Sequence, residues 1–120
     1  MTQSENALTS ASSTAQNLYC SLLASLGPMG PFQEELKKTS VHLVRGSAFA
    51  GVQLRREYLI VTIKSEKPIR SARITKGEQV SKHRWHNEVK ISSEADFDRE
   101  LLVWLKGAYD FAVEPKTRRA

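Results

Sequence analysis

Cysteine and long apolar runs are scarce in this 120-residue chain. Its single cysteine, Cys20, excludes an internal disulfide and a cysteine-based zinc site, and it favours a reducing, cytoplasmic compartment. No apolar run approaches the roughly 18 residues that span a bilayer. Residues 1–15 lack the basic start and apolar block of a secretion signal. We therefore expect a cytoplasmic protein with no membrane association.

The local motifs of common catalytic and cofactor sites are also missing. The sequence contains no G-x-S-x-G elbow, no glycine-rich phosphate loop, and no helix-turn-helix, zinc-finger or RNA-binding aromatic motif. His83 and His86 form an H-x-x-H pair, but the alternation around them predicts a strand, on which they face opposite ways. We predict no catalytic residue, no metal ligand and no cofactor, so a binding protein is a simpler interpretation than an enzyme.

Positive charge is present in excess and is concentrated in one segment. The formal net charge is +5, and residues 64–91 contain eight lysines and arginines against three glutamates. Such a segment can face phosphate groups or an acidic partner. It is equally compatible with a solvated, positively charged loop and strand edge, and the sequence leaves both interpretations open.

Two apolar runs at the centre of the chain predict the middle of a sheet. Leu59, Val61 and Ile63 alternate with more polar residues, which is typical of a strand with two different faces. The run at residues 47–54 precedes it, and a charged break at residues 55–57 separates the two. The sequence therefore predicts a hairpin of strands 47–54 and 58–64 with a loop of three to five residues.

Two further strands are predicted on either side of this hairpin. Residues 41–44 form a short apolar run, and residues 84–91 alternate, with Trp85, Val89 and Ile91 facing a core. Between residues 64 and 84, Pro68 and Gly77 predict an irregular crossing with only a short extended piece at residues 72–75.

Helical spacing of apolar residues appears near both ends of the chain. It covers residues 14–26, where Gly27 and Pro28 end the pattern, and residues 93–112, where Ser93 and Asp96 resemble a capping box. Residues 31–38 are predicted as a short helix, because Pro31 suits a first helical position and two glutamates precede two lysines.

These elements predict a single α+β domain over residues 14–113. Its antiparallel sheet has about four strands, and the N- and C-terminal helices pack on one face. Residues 1–13 are predicted to be a disordered tail and residues 114–120 a basic tail. If the sheet is curved, its other face forms a shallow cup lined by Phe49, Tyr58, Ile60 and basic side chains.

Three functions are compatible with this fold. The first is a non-catalytic binding module that contacts an anionic partner, either nucleic acid or an acidic protein. Its predicted contact residues are Arg84, His86, Lys82, Arg55, Arg56 and Arg73. The second is a small-molecule or enzymatic site in the cup of the sheet, around His42, Tyr58 and His86. The third is a protein–protein adaptor or homodimer that uses an uncovered apolar sheet face.

Several segments resemble a small bacterial and archaeal family, domain of unknown function 5655. In chain order they are KKTSVHLV, FAGV at residues 49–52, YLIVTIK, EQVSKHRWHNEVKI and DRELLVWLKGAYDF, and the resemblance spans about residues 32–111. Many relatives have glycines after the tryptophan, where this chain has His86 and Asn87. Longer relatives carry the module behind a nuclease-like domain, so the resemblance implies a supporting role near nucleic acid. It adds no catalytic residue.

Overall fold

The computed structural model describes residues 7–9 and 11–118, with side chains described as far as residue 112. Within these residues the chain forms two α-helices, six strands and two short 3-10 turns, Gly27–Met29 and Glu94–Asp96. The helices are α1 (Ser13–Leu26) and α2 (Arg99–Arg118), and the strands are β1 (Gln33–Leu36), β2 (Val41–Arg45), β3 (Ser47–Leu54), β4 (Leu59–Ser65), β5 (Ile74–Ser81) and β6 (Arg84–Ile91).

The described strands form one antiparallel sheet in the order β1-β2-β3-β4-β6-β5. Val52, Val61 and Val89 lie side by side on β3, β4 and β6, and all three are fully buried. Their face of the sheet packs against α1 and α2, which close the core. The predicted α+β class with an antiparallel sheet and two helices is confirmed, but the sheet has six strands rather than four.

Strand β1 replaces the short helix predicted at residues 31–38. It pairs with β2, with Glu35 opposite His42, and all four of its residues are exposed. Glu34 accepts a hydrogen bond of 2.6 Å from the hydroxyl of Tyr19 on α1. The helix prediction was wrong because a weak local propensity over eight residues gives way to ladder hydrogen bonds with a neighbouring strand.

Strand β5 occupies the crossing that was predicted to be irregular. It spans eight residues at the sheet edge, of which only Ile74 is not fully exposed, and it pairs with β6 through two register shifts. Hydrophobic alternation in a strand arises when one of its faces is buried, and almost no residue of this edge strand is buried. Its sequence therefore gave no periodic signal.

A bulge in β3 moves one aromatic ring to the other side of the sheet. Leu43 pairs with Ala50 and Val44 pairs with Ala48, so Phe49 is the extra residue. Its ring is buried in the core, with its centroid 5.3 Å from that of Tyr109 on α2. The predicted place of Phe49 in the cup is therefore wrong.

Helix α2 begins six residues later than predicted. Ser93 and Asp96 do form the capping box, but it closes the 3-10 turn Glu94–Asp96. Phe97 then leaves the helical region with ψ 68°, and the Asp98 carboxylate accepts a hydrogen bond from the backbone N–H of Leu101. This second cap starts α2.

The predicted tails fall partly within the described residues. Residues 1–6 and 10 of the N-terminal tail lie outside them, whereas Ala7 is 6% exposed in the core and its N–H donates to the Lys37 carbonyl. At the other end α2 continues to residue 118, and residues 119–120 lie outside the described part.

Candidate functional site

Both described helices pack on one face of the sheet, and a cleft of about 190 Å³ lies on the other face. We call it the open-face cleft. It is bounded by side chains that alternate with the core residues of β2, β3, β4 and β6, because successive residues of a strand face opposite ways. Those that carry polar groups are Ser40, His42, Gln53, Thr62, Lys64 and His86.

Gly51 creates the floor of the open-face cleft. It lies on β3 between His42 of β2 and Thr62 of β4. A Cβ at this position would lie 3.9 Å from His42 Cδ2 and 3.9 Å from Thr62 Cβ, which are ordinary contacts. The cleft is therefore space that a side chain would fill without a clash, left open because the residue is glycine.

Lys64 and His86 face each other across the next row of the sheet, as register partners on β4 and β6. His86 Nε2 is buried and has no hydrogen-bond partner within the described part of the chain. Burial lowers the pKa of His86, and the charges of Lys64 and Arg84 lower it further, against an opposing effect of Glu78. The neutral form of the imidazole is therefore favoured over the imidazolium, which is the form that would bind an anion best.

Lys64 is also held without a compensating acid. Burial is the main cause that lowers the pKa of Lys64, and the positive charge of the nearby Arg84 lowers it further. Among the residues that the structure describes, neither Lys64 nor Arg84 forms an ion pair. Three groups that can carry positive charge thus meet at one end of the open face, and the carboxylate of Glu78, the register partner of His86 on β5, offsets only part of their repulsion.

The basic residues predicted to contact an anionic partner lie in separate places. Arg84 and His86 are at the start of β6, with Lys82 in the turn before it, whereas Arg55 and Arg56 follow β3 at the opposite end of the sheet. Eight residues of strand separate the two ends by about 23 Å. The sequence analysis therefore combined two distinct groups of basic residues.

The group at the far end has local partners of its own. Arg55 donates to the Gln53 side chain at 2.7 Å, and the Arg56 carbonyl accepts from the Ser12 hydroxyl. Tyr58 lies under Lys90, whose Nζ is 4.5 Å from the ring centroid. Tyr58 consequently does not line the cleft, although His42 and His86 do.

Arg73 belongs to neither group. Its guanidinium forms ion pairs with Asp98 and Glu100 beside α2 and lies 5.7 Å from the centre of the Trp104 ring. Burial lowers the pKa of Arg73, but hydrogen bonds to these two carboxylates outweigh that effect and raise it overall. Its charge is used within the fold.

Lys64, Gly51 and Thr62 are among the cleft residues that the sequence analysis did not select. Lys64 ends the mixed face of the β4 pattern, in phase with Thr62, so it could have been placed on the open face by counting from Leu59. Which residues lie opposite depends on the register of β4 with β6, which are separated along the chain by β5. That pairing was not available from local pattern.

Two wider grooves lie on the helical side. One, of about 380 Å³, is lined by Ile69, Trp104 and Phe111 among others, and one of about 440 Å³ lies near Tyr19 and Glu34. Burial is the main cause that raises the pKa of Tyr19, whose hydroxyl donates to Glu34. Neither groove brings together basic groups as the open-face cleft does.

No group of three histidine, cysteine, aspartate or glutamate side chains within residues 7–9 and 11–112 is arranged to hold a metal ion. No helix of the described chain is long and apolar enough to cross a membrane.

Comparison with known proteins identifies a family and nothing closer. No curated protein and no solved structure shows significant similarity to the chain. A family model described as a domain of unknown function matches residues 4–112, which includes α1, the whole sheet and most of α2. The chain therefore belongs to the domain of unknown function family DUF5655.

Proposed function

We propose that the protein is a binding module that holds an anionic ligand, without catalysis, in the open-face cleft. The observation that carries the proposal is the buried, unpartnered Nε2 of His86 beside Lys64 and Arg84, two cations that form no ion pair within the described part of the chain. Clustered groups of like charge with shifted pKa values cost folding stability, and such costs concentrate at functional sites. A bound anion would remove the repulsion and give Nε2 a partner.

The size and position of the cleft favour a compact ligand. A volume of about 190 Å³ is below the roughly 300–1,000 Å³ of pockets for drug-sized ligands. Gly51 at the floor lets a ligand approach the backbone closely. Ser40, Gln53 and Thr62 supply hydroxyl and amide groups for further hydrogen bonds.

A continuous nucleic-acid track along the open face has weaker support. Glu88 lies on β6 between the His86 end and the Lys90 end, with Thr62 of β4 and Lys76 of β5 as its register partners. A phosphate chain laid along this face would pass a carboxylate midway, and like charges repel. The +5 segment of the sequence is therefore divided in space.

The experiment is a titration of ¹⁵N-labelled protein with pyrophosphate at low ionic strength, followed by amide shifts in NMR spectra. Pyrophosphate should shift amides around Gly51, Thr62, Lys64 and His86. The variant Lys64→Met should weaken binding by roughly tenfold to a hundredfold, because a charge-assisted hydrogen bond contributes about 1.5–3 kcal/mol.

The matched control is Lys90→Met, which removes the same charge from the same face at the far end. Its affinity for pyrophosphate should equal that of the wild type. A single-stranded oligonucleotide without terminal phosphates tests the alternative, in which the whole open face binds an extended phosphate chain. Shifts at both ends of the face with that oligonucleotide, or no shifts with pyrophosphate, would overturn a compact cleft site.

A further inference from the structure

The charges around the open-face cleft indicate what kind of anion it holds. Lys64 lines the cleft, and Arg84 lies two residues before His86 on β6. His86 supplies a buried nitrogen that becomes a donor, and a third positive charge, only when the imidazole is protonated. Glu78, the register partner of His86 on β5, offsets one of these charges. A carboxylate or a phosphodiester carries one negative charge and leaves part of this positive charge unmatched. A phosphomonoester is almost a dianion at neutral pH and carries three acceptor oxygens.

We propose that the ligand is the phosphomonoester group of a small hydroxyl-bearing molecule, such as a sugar phosphate, and that His86 takes up one proton when this group binds. The inference rests on the proposed anion site and adds the class of the ligand. Lys64 and Arg84 face the phosphate as cations, and protonated His86 donates its Nε2–H to a phosphate oxygen. The hydroxyl and amide groups of Ser40, Gln53 and Thr62 accompany the rest of the ligand.

Proton uptake follows from the groups that surround His86 on every side. Lys64 on β4 and Arg84 on β6 disfavour the imidazolium in the free protein, and Glu78 on β5 favours it. Glu88 lies two residues further along β6, opposite Thr62, and His42 lines the same cleft from β2. A dianion placed among these groups reverses the balance, because it attracts the imidazolium and offsets both cations. The bound state therefore holds a proton that the free state lacks.

The direction of the pH dependence is fixed by this linkage. Because the complex binds more protons than the free protein, affinity falls as pH rises above neutrality. Below about pH 6 the phosphomonoester itself becomes a monoanion, since its second pKa is about 6. Affinity should be greatest close to neutral pH and should decrease by close to tenfold between pH 7 and 8, the slope that uptake of about one proton gives.

Isothermal titration calorimetry with ribose 5-phosphate at pH 7.5 tests the proposal. Titrations in HEPES and in Tris, whose ionisation enthalpies differ, give the number of protons taken up. The wild type should take up close to one proton per ligand. The methyl ester of ribose 5-phosphate, a monoanionic diester of the same sugar, should bind at least about tenfold more weakly.

Three variants assign the proton. His86→Gln retains an amide donor but does not titrate, so it should bind ribose 5-phosphate with little proton uptake. Lys64→Met should bind more weakly and still take up a proton. Lys90→Met should match the wild type in both affinity and uptake.

The outcomes separate this inference from the anion site itself. Equal affinity for the monoester and the diester, or binding without proton uptake, would overturn the ligand class and leave the anion site in place. Retained uptake in His86→Gln would also overturn it. Absence of binding by ribose 5-phosphate together with absence of pyrophosphate shifts would overturn both proposals.

Discussion

Arg73 forms a two-oxygen ion pair with Asp98, its Nη1 lying 2.9 and 3.1 Å from the two carboxylate oxygens. The same guanidinium donates to the Glu100 carboxylate and to the Asp96 carbonyl. Arg73 precedes β5 and Asp98 caps α2, so the contact joins the edge of the sheet to the start of the helix. One of the basic residues predicted to contact a partner is thereby part of the fold.

We predict that Arg73→Met lowers the free energy of unfolding by about 1 kcal/mol and leaves pyrophosphate affinity unchanged. The loss is modest because the side chains of Asp98 and Glu100 remain solvated. Urea denaturation measures the first effect and the NMR titration the second. Lys67→Met, an exposed residue of the same crossing, is the control and should change neither. A tenfold loss of affinity in Arg73→Met would contradict the assignment.

Gly51→Val should separate stability from binding. A side chain at residue 51 meets His42 and Thr62 at ordinary contact distance, and a β-branched residue suits a strand. The variant should be as stable as the wild type or more stable by up to about 1 kcal/mol, while its pyrophosphate affinity falls at least tenfold because the cleft is filled. Thermal melts and the NMR titration measure the two quantities. Unchanged affinity would place the anion elsewhere.

Gly30→Ala should be strongly destabilising. Gly30 has φ +131°, and a Cβ there would overlap the hydroxyl of Tyr109, which donates to the Pro31 carbonyl at 2.7 Å. Backbone strain and the displaced buried tyrosine together should cost about 2–4 kcal/mol of unfolding free energy. Gly27→Ala is the matched control, because Gly27 has a helical φ of −48° and open space around it. Equal stability of the two variants would contradict the prediction.

Asn87→Ala should destabilise the sheet at the end of β4, where the chain leaves the sheet before β5. Asn87 is 1% exposed, donates to the Ile63 carbonyl and the Ser65 hydroxyl, and accepts from the Ile69 N–H. Loss of these bonds leaves buried backbone groups unpaired, so we expect a cost of about 2–3 kcal/mol in urea denaturation. Ser65→Ala removes one half-buried partner of Asn87 and the bond from the Ser65 hydroxyl to the Lys67 carbonyl, and it should cost less than about 1 kcal/mol. A larger effect for Ser65→Ala would contradict this ranking.

Stability should decrease on mild acidification because of His86. Its pKa is lowered in the folded protein, so below the ordinary imidazole value of about 6.5 the unfolded chain binds more protons. Stability is therefore fully present above that pH and is lost as the pH falls toward the folded pKa. Melting temperatures from pH 7.5 to 5.0, in buffers free of phosphate and sulfate, should drop more steeply for the wild type than for His86→Gln. Parallel curves would contradict the prediction.

The sequence predicted the parts of the fold whose burial is periodic. Leu59, Val61 and Ile63 are fully buried, as their alternation indicated, and the pattern of α1 from Ala15 to Leu26 is likewise confirmed. It failed at β1 and β5, the two sheet edges, where nearly all residues are exposed. An edge strand exists through hydrogen bonds to its neighbour, and those do not depend on side-chain type.

The candidate site was predicted only in fragments. His42 and His86 were selected and do line one cleft, but Tyr58, Arg55 and Arg56 lie at the other end of the sheet. Lys64, which faces His86, was not selected. Residues 64 and 86 are brought together by the pairing of β4 with β6, and the register of that pair decides which basic groups repel each other.

The sequence by itself determined the alternating central strands, the two amphipathic helices and the excess of positive charge, because each is written in side chains close together along the chain. Only the tertiary structure decided where that charge acts. The basic residues lie in three separate places: Arg73 in ion pairs beside α2, Arg55 and Arg56 at the far end of the sheet, and Lys64 at the open-face cleft. The strand order places them there, and Gly51 leaves the space of the cleft open. Those divisions depend on contacts between residues distant in sequence, whose pairing free energy no local pattern records.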